Sequence, residues 1–275
     1  MSGTLYLVAT PIGNLEDITY RAVRTLREAD LIACEDTRQT RKLLDHYGIR
    51  KPLVSYHEHN EAARSEELIS RLETGASVAL VSDAGMPLVS DPGYRVVIAA
   101  IRAGIPVVPV PGPSALVAAL AASGLATDSF SFGGFLPAKA GQREKALETL
   151  RDQTATAIFY ETPHRIVEAL ADIERVLGDR PVVVARELTK MHEEFVRGTA
   201  SEVREALAGR AAVKGEITLL IGKATTPPAE LTTVEDAVEA YVREGMARMD
   251  AIKKVARERG ISKRDVYRRT QIEKP

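Results

Sequence analysis

From its first residues the chain alternates short apolar runs with longer stretches of helical period. That rhythm confines it to an α/β architecture, with strands paired largely in parallel and helices laid over the sheet. Residues 5–9, 31–34, 53–56, 77–81 and 106–110 read as strands. Between them, residues 19–29 place Ala22, Val23, Leu26 and Ala29 on one helix face, 38–47 stop before Gly48, and 60–73 form a third helix. Asp91 and Pro92 read as the cap and first position of a helix reaching about residue 102, and another helix starts near Ser114.

At Gly124 the alternation restarts with different spacing. Residues 129–132, 156–160, 181–186, 195–198 and 216–222 read as strands, and 142–151 and 201–208 as helices. Thr162 and Pro163 read as the cap and first position of a helix to residue 177. Thr225-Thr226-Pro227-Pro228 reads as a linker, followed by helices at 234–243 and 249–259, a stop at Gly260 and a third helix capped by Ser262. The expected division is an N-terminal α/β domain over 1–123, a second α/β domain over 124–226, and a small basic helical domain over 227–275. A length of 275 residues suits more than one domain, at roughly 100–200 residues each.

The net charge of −1 conceals a basic C-terminus: from Arg248 onward ten Lys and Arg face four Asp and Glu, a balance of +6. Such a surface attracts phosphates, and two helices across a glycine turn resemble a helix-turn-helix unit; a solvated helical face accounts for the same residues. The apolar runs are far shorter than the roughly 20 residues of a membrane span. The N-terminal run has no basic flank, which points to the cytoplasm rather than secretion. The single Cys34 suits a reducing compartment and leaves no multi-cysteine metal site.

In an open α/β sheet, ligands sit beyond the carboxyl ends of the strands. Three loops there mix glycine, for close backbone approach, with stiffening proline. They are Thr10-Pro11-Ile12-Gly13-Asn14 after the first strand, Ser82 through Gly93 after the fourth, and Pro111-Gly112-Pro113-Ser114-Ala115 after the fifth. Any one is an ordinary rigid turn; three on one sheet edge point to a binding site. Neither Gly-x-Gly-x-x-Gly nor a Walker-type phosphate loop occurs, so the ligand need not carry phosphate.

These loops, with Cys34-Glu35-Asp36-Thr37-Arg38, His57-Glu58-His59-Asn60, Tyr160-Glu161-Thr162-Pro163-His164-Arg165 and Arg186-Glu187-Leu188-Thr189-Lys190, resemble in order and spacing the ribosomal small subunit methyltransferase I family of the tetrapyrrole methylases. The resemblance covers nearly the whole chain. It implies two α/β domains of the tetrapyrrole-methylase type clasping S-adenosylmethionine in the cleft between them, a homodimer, and 2′-O-methylation of a cytidine ribose in the decoding region of 16S ribosomal RNA. It further implies that Pro11, Asp83, Ala84, Gly85, Val89, Ser114 and Ala115 line the cofactor from the first domain. Tyr160, Leu188 and the Gly215-Glu216-Ile217 stretch would close it from the second. The competing readings are a tetrapyrrole-type small-molecule methyltransferase of the same fold and a non-catalytic RNA-binding ribosome-assembly factor.

Methyl transfer to a hydroxyl is an in-line displacement, so positioning is the main task, worth roughly 7–11 kcal/mol. A proton acceptor adds about 10²- to 10⁴-fold, and no metal is required. Glu187 and Lys190 rank first as proton acceptor or hydroxyl-orienting groups, ahead of Glu161, His57 and Glu58; a surface Glu–Lys pair is the plain alternative. Lys190 can serve as a base only if its pKa is lowered. His57 and His59, two apart on an extended segment, would point the same way. RNA contacts are expected from His57, Asn60, Arg38, Lys263 and Arg264, with Arg41 and Lys42 beside Arg38, while Asn60 also suits a helix cap.

Overall fold

The computed structural model describes residues 2–224, 233–243 and 245–270; the linker expected at 225–228 lies outside the described residues. The chain divides into two compact units, Met1–Ala224 and Thr225–Pro275. Two five-stranded sheets, both in the first unit, carry the α/β architecture.

The first sheet is all parallel. Its strands are β1 (Leu5–Val8), β2 (Leu31–Cys34), β3 (Leu53–Ser55), β4 (Val78–Val81) and β5 (Val107–Val110), in the order β3-β2-β4-β1-β5. Alternation along each strand divides the core. Leu5 and Leu7 face Leu68 and Leu72 of α3 (Glu61–Glu73) and Val96 and Ala100 of α4 (Tyr94–Arg102). Val8 turns the other way, toward Ala22 and Leu26 of α1 (Tyr20–Glu28) and Leu44 of α2 (Thr37–His46). Thr19 caps α1 by accepting the Ala22 N–H at 3.1 Å.

Helix α5 (Ala115–Ser123) leaves the first sheet but packs Leu116, Ala119 and Leu120 against Ile158, Val183, Ala185 and Leu220 of the second. That second sheet is mixed. Strands β6 (Phe130–Phe135), β7 (Thr156–Glu161), β8 (Pro181–Arg186), β9 (Glu194–Thr199) and β10 (Ile217–Ile221) run in the order β6-β7-β10-β8-β9, and only β6 and β7 pair in parallel. Its far face is covered by α6 (Ala140–Glu148), α7 (Ile166–Leu177) and α8 (Ala200–Ala208). Ile166, Ala169, Leu170 and Ile173 recur on the buried side of α7, and each Ile or Leu so buried stabilises by about 1.5–3 kcal/mol.

Two expected helix starts move. Helix α4 begins at Tyr94 behind Gly93, so Asp91 and Pro92 do not cap it; α7 begins at Ile166, after a turn in which Thr162 and Pro163 precede the helix. The second unit contains α9 (Val234–Arg243), α10 (Arg248–Glu258) and α11 (Lys263–Arg269), around Val238, Ile252, Val255 and Val266. Ser262 caps α11 as expected, accepting the Asp265 N–H. Among the described residues no helix is long and apolar enough to cross a membrane.

Candidate active site

The loops after β1, β4 and β5 meet at one pocket because their strands are neighbours in the sheet. Thr10 and Gly85 exchange backbone hydrogen bonds at 2.9 and 3.0 Å, and the Thr10 hydroxyl donates to the Ser82 carbonyl at 3.1 Å, locking the first loop to the fourth. Gly85 adopts φ +81°, which favours glycine. The pocket, about 340 Å³, is walled on one side by Asp83, Ala84, Gly85, Val89, Ser114 and Ala115. The second sheet contributes Tyr160 and Ile217, and its connecting loops Leu188, Gly215 and Glu216. Pro11 is buried off the lining, and its neighbour Ile12 takes the wall position.

Met86, Ser90 and Asp91 join the lining from the loop singled out after β4, and Thr162 and Pro163 from the quoted segment after β7, though none was individually assigned to it; sequence reasoning missed Phe135, Ala185 and Thr218 outright and left Glu161 among the proton acceptors. Backbone strain marks the same place. The described residues other than glycine with left-handed backbone are Leu88, Ser90, Glu187 and Thr189, with φ of 73°, 69°, 53° and 66°. All four belong to or flank lining segments, and such conformations cost of order 1–3 kcal/mol each where a site requires them.

The lining holds four carboxylates, Asp83, Asp91, Glu161 and Glu216, and no Lys, Arg or His. A phosphate would meet repulsion there, whereas a cation with apolar portions would find complementary walls. Burial, and then the charges of Glu35 and Asp83, push the Asp91 carboxyl up to about 6; burial also raises Asp83 and Glu35. Because the folded-state pKa of Asp91 exceeds its ordinary 3.8, the native protein retains a proton that the unfolded chain loses, and stability falls as pH rises through that window. Asp91→Asn should therefore stabilise the protein at pH 8 by roughly 1–2 kcal/mol, a figure reduced for partial exposure, with no gain below about pH 4. Urea unfolding at the two pH values checks this.

Glu187 and Lys190 lie just behind the lining. The Lys190 ammonium donates to Glu187 Oε1 at 2.8 Å and to Glu216 Oε2 at 3.0 Å, while Glu187 Oε1 also accepts the Glu216 N–H at 3.0 Å. The Lys190 stem crosses Gly13, where a Cβ would come within 2.5 Å of its Cγ. Desolvation pushes the ammonium down, but the two carboxylates outweigh it and its pKa rises; the hydrogen bond from Lys190 lowers that of Glu187. The shift of Lys190 is thus opposite to the one a lysine base requires, and its two carboxylate partners hold it beside the Glu216 backbone. Glu161, buried, accepts from Thr162 and pairs with Arg165 at 3.1 Å.

The residues singled out for RNA stand outside this lining. His57 and His59 do not share an extended segment: residues 58–60 form a turn, with the rings 5.9 Å apart. Asn60 precedes α3 without a side-chain cap bond; its Oδ1 accepts the His57 N–H and its Nδ2 donates to Ser55, tying the turn together. Arg38 is exposed and pairs with Asp36 at 2.7 Å. In the second unit Lys263 and Arg264 are exposed on the first turn of α11.

Two α/β sheets enclosing a carboxylate-rich pocket at the ends of β1, β4 and β5 define a methylase-type architecture, and the family model for Tetrapyrrole (Corrin/Porphyrin) Methylases matches residues 4–204. A uroporphyrin-III C-methyltransferase from Thermus thermophilus, solved complexed with S-adenyl homocysteine, shares the fold with a TM-score of 0.56 at 23% identity, over 80% of this chain and 97% of that one. The ribosomal RNA small subunit methyltransferase I of Halalkalibacterium halodurans is 53% identical over 96% of this chain and 93% of its own length, and that of Bacillus subtilis is 46% identical over the same shares. The chain belongs to the ribosomal RNA small subunit methyltransferase I family of tetrapyrrole methylases.

Proposed function

We propose that this protein is an S-adenosylmethionine-dependent methyltransferase acting on ribosomal RNA, and that its acceptor is the 2′-hydroxyl of a cytidine in the decoding region of 16S RNA. The observation that carries the reading is the pocket: apolar walls from Ile12, Ala115, Leu188 and Ile217, four carboxylates and no basic side chain, framed by three strand-end loops. S-adenosylmethionine supplies, when bound, a methyl group already activated on a sulfonium. The carboxylates of Asp83 and Asp91 complement that positive charge, and the apolar walls receive the nucleoside. Lys190 and Glu187 fix Glu216, and through it the Gly215-Glu216-Ile217 wall, so their contribution is orientation.

The protein works in the cytoplasm as a homodimer in this reading. The apolar stripe of Val117, Ala118 and Ala121 that stays exposed on α5 supports a second copy there. Lys263 and Arg264 contribute sequence-independent phosphate contacts, and Arg38, His57 and Asn60 approach the RNA from the first sheet. Incubation with methyl-labelled S-adenosylmethionine and unmodified small ribosomal subunits, followed by nucleotide mapping, tests the assignment. Label is expected on a cytidine ribose of 16S RNA; label on a base, on another nucleotide, or nowhere contradicts it.

A further inference from the structure

The edge strand β6 contains a register shift with a definite geometric consequence. Phe132 pairs with Ile158 of β7, but the next partners are Phe135 and Tyr160, so three steps on β6 match two on β7. Side chains alternate faces along a strand, so Phe132 and Phe135 would otherwise point to opposite sides; the inserted residue returns both to one face. Their rings then meet the same Tyr160, at centroid distances of 4.9 and 5.7 Å. The intervening glycines permit this: a Cβ at Gly133 would stand 2.3 Å from Phe159 Cε1, and Gly134 has φ +68°.

What the bulge delivers is an aromatic ring that the described residues leave half-exposed. Phe135 is 53% exposed, although it lines the pocket together with the half-buried Tyr160. Whatever covers this ring also occupies the mouth of the reaction cavity, which favours substrate over a distant partner. A flat apolar surface beside a nucleoside-sized pocket suits an unstacked nucleobase, the form in which single-stranded RNA is presented to side chains. We propose that Phe135 is the stacking platform for the base of the acceptor nucleotide, a substrate-binding residue placed by the β6 bulge. The inference rests on the reading of the chain as an RNA methyltransferase.

The test compares the full-length protein with Phe135→Ala and Phe135→Trp. Base stacking on an aromatic ring corresponds to losses of roughly 10- to 100-fold on truncation. Phe135→Ala should lower kcat/KM on small ribosomal subunits by that factor, chiefly through KM, with cofactor Kd by calorimetry changed less than about twofold. Phe135→Trp should stay close to wild type. A short RNA with a fluorescent cytidine analogue at the acceptor should be quenched by wild type and not by Phe135→Ala. Unchanged kcat/KM in Phe135→Ala, equal damage in Phe135→Trp, a matching loss of cofactor affinity, or a changed oligomeric state by sedimentation each overturns the proposal. Wild-type protein inactive on RNA overturns the underlying reading instead.

Discussion

Gly85→Trp is expected to weaken S-adenosylmethionine binding by about 100-fold or more, on the order of 3 kcal/mol, and to abolish methyl transfer with it. Gly85 sits where the first, fourth and fifth loops converge: its backbone is bonded to Thr10, and a Cβ built on it would lie 3.5 Å from Ile12 Cγ2 and 3.7 Å from the Pro113 carbonyl. An indole added there has to take space that the ligand needs. Gly85→Ala separates the effects. Its methyl group meets only ordinary contacts, so it bears the cost of a left-handed residue, about 1 kcal/mol, while leaving the pocket open. Calorimetric titration of both variants, with thermal melts to confirm folding, should show binding retained in the alanine variant and lost in the tryptophan variant. Cofactor affinity unchanged in a folded Gly85→Trp protein would move the binding site elsewhere.

Removal of residues 227–275 is expected to lower methylation of small ribosomal subunits by roughly 100-fold at about 0.15 M salt while leaving cofactor affinity nearly intact. The carboxylate-lined pocket draws all its walls from residues 12–218, whereas the basic excess lies beyond Arg248. Much of that excess is already partnered: Arg248 pairs with Glu239, Lys253 with Asp250 and Arg268 with Asp265, at 2.8–2.9 Å. Lys263 and Arg264 make no ion pair among the described residues, which leaves their charge available to phosphate. Charge reversal at these two positions should reproduce part of the loss and flatten the dependence of KM on salt. Equal loss of RNA methylation and cofactor binding in the truncated protein would make this unit a structural support.

The first sheet was legible because its central strands β1, β2 and β4 are almost wholly buried, and all five strands are short apolar runs bounded by turn residues, so run length and periodicity agree even for the half-buried edge strands β3 and β5. The second was legible in its elements but not in its order, since period reveals a strand and not its partner; the mixed order β6-β7-β10-β8-β9 is set by long-range pairing. The instructive misreadings are Asp91-Pro92 and Thr162-Pro163. A short polar side chain followed by proline is the chemistry of a helix start, yet a stiff loop with a polar group facing a ligand requires the same residues. All but Pro92 prove to line the pocket. The expected strand at 129–132 stopped short for a different reason. The apolar run ends at residue 132, whereas Gly133 and Gly134 form a bulge that carries β6 on to Phe135. Asp91 had no sequence signal for its altered acidity, which comes first from burial at the pocket and then from the approach of Glu35 and Asp83 across the sheet edge.

Amide hydrogen exchange of the intact protein, with and without saturating S-adenosylmethionine, tests most directly whether one pocket is assembled from separate strand ends. Added protection is predicted together in residues 10–14, 82–91, 112–116 and 215–218, with the α9–α11 unit unchanged. Protection confined to a single one of these segments, or appearing instead on the far face under α6–α8, would contradict the account.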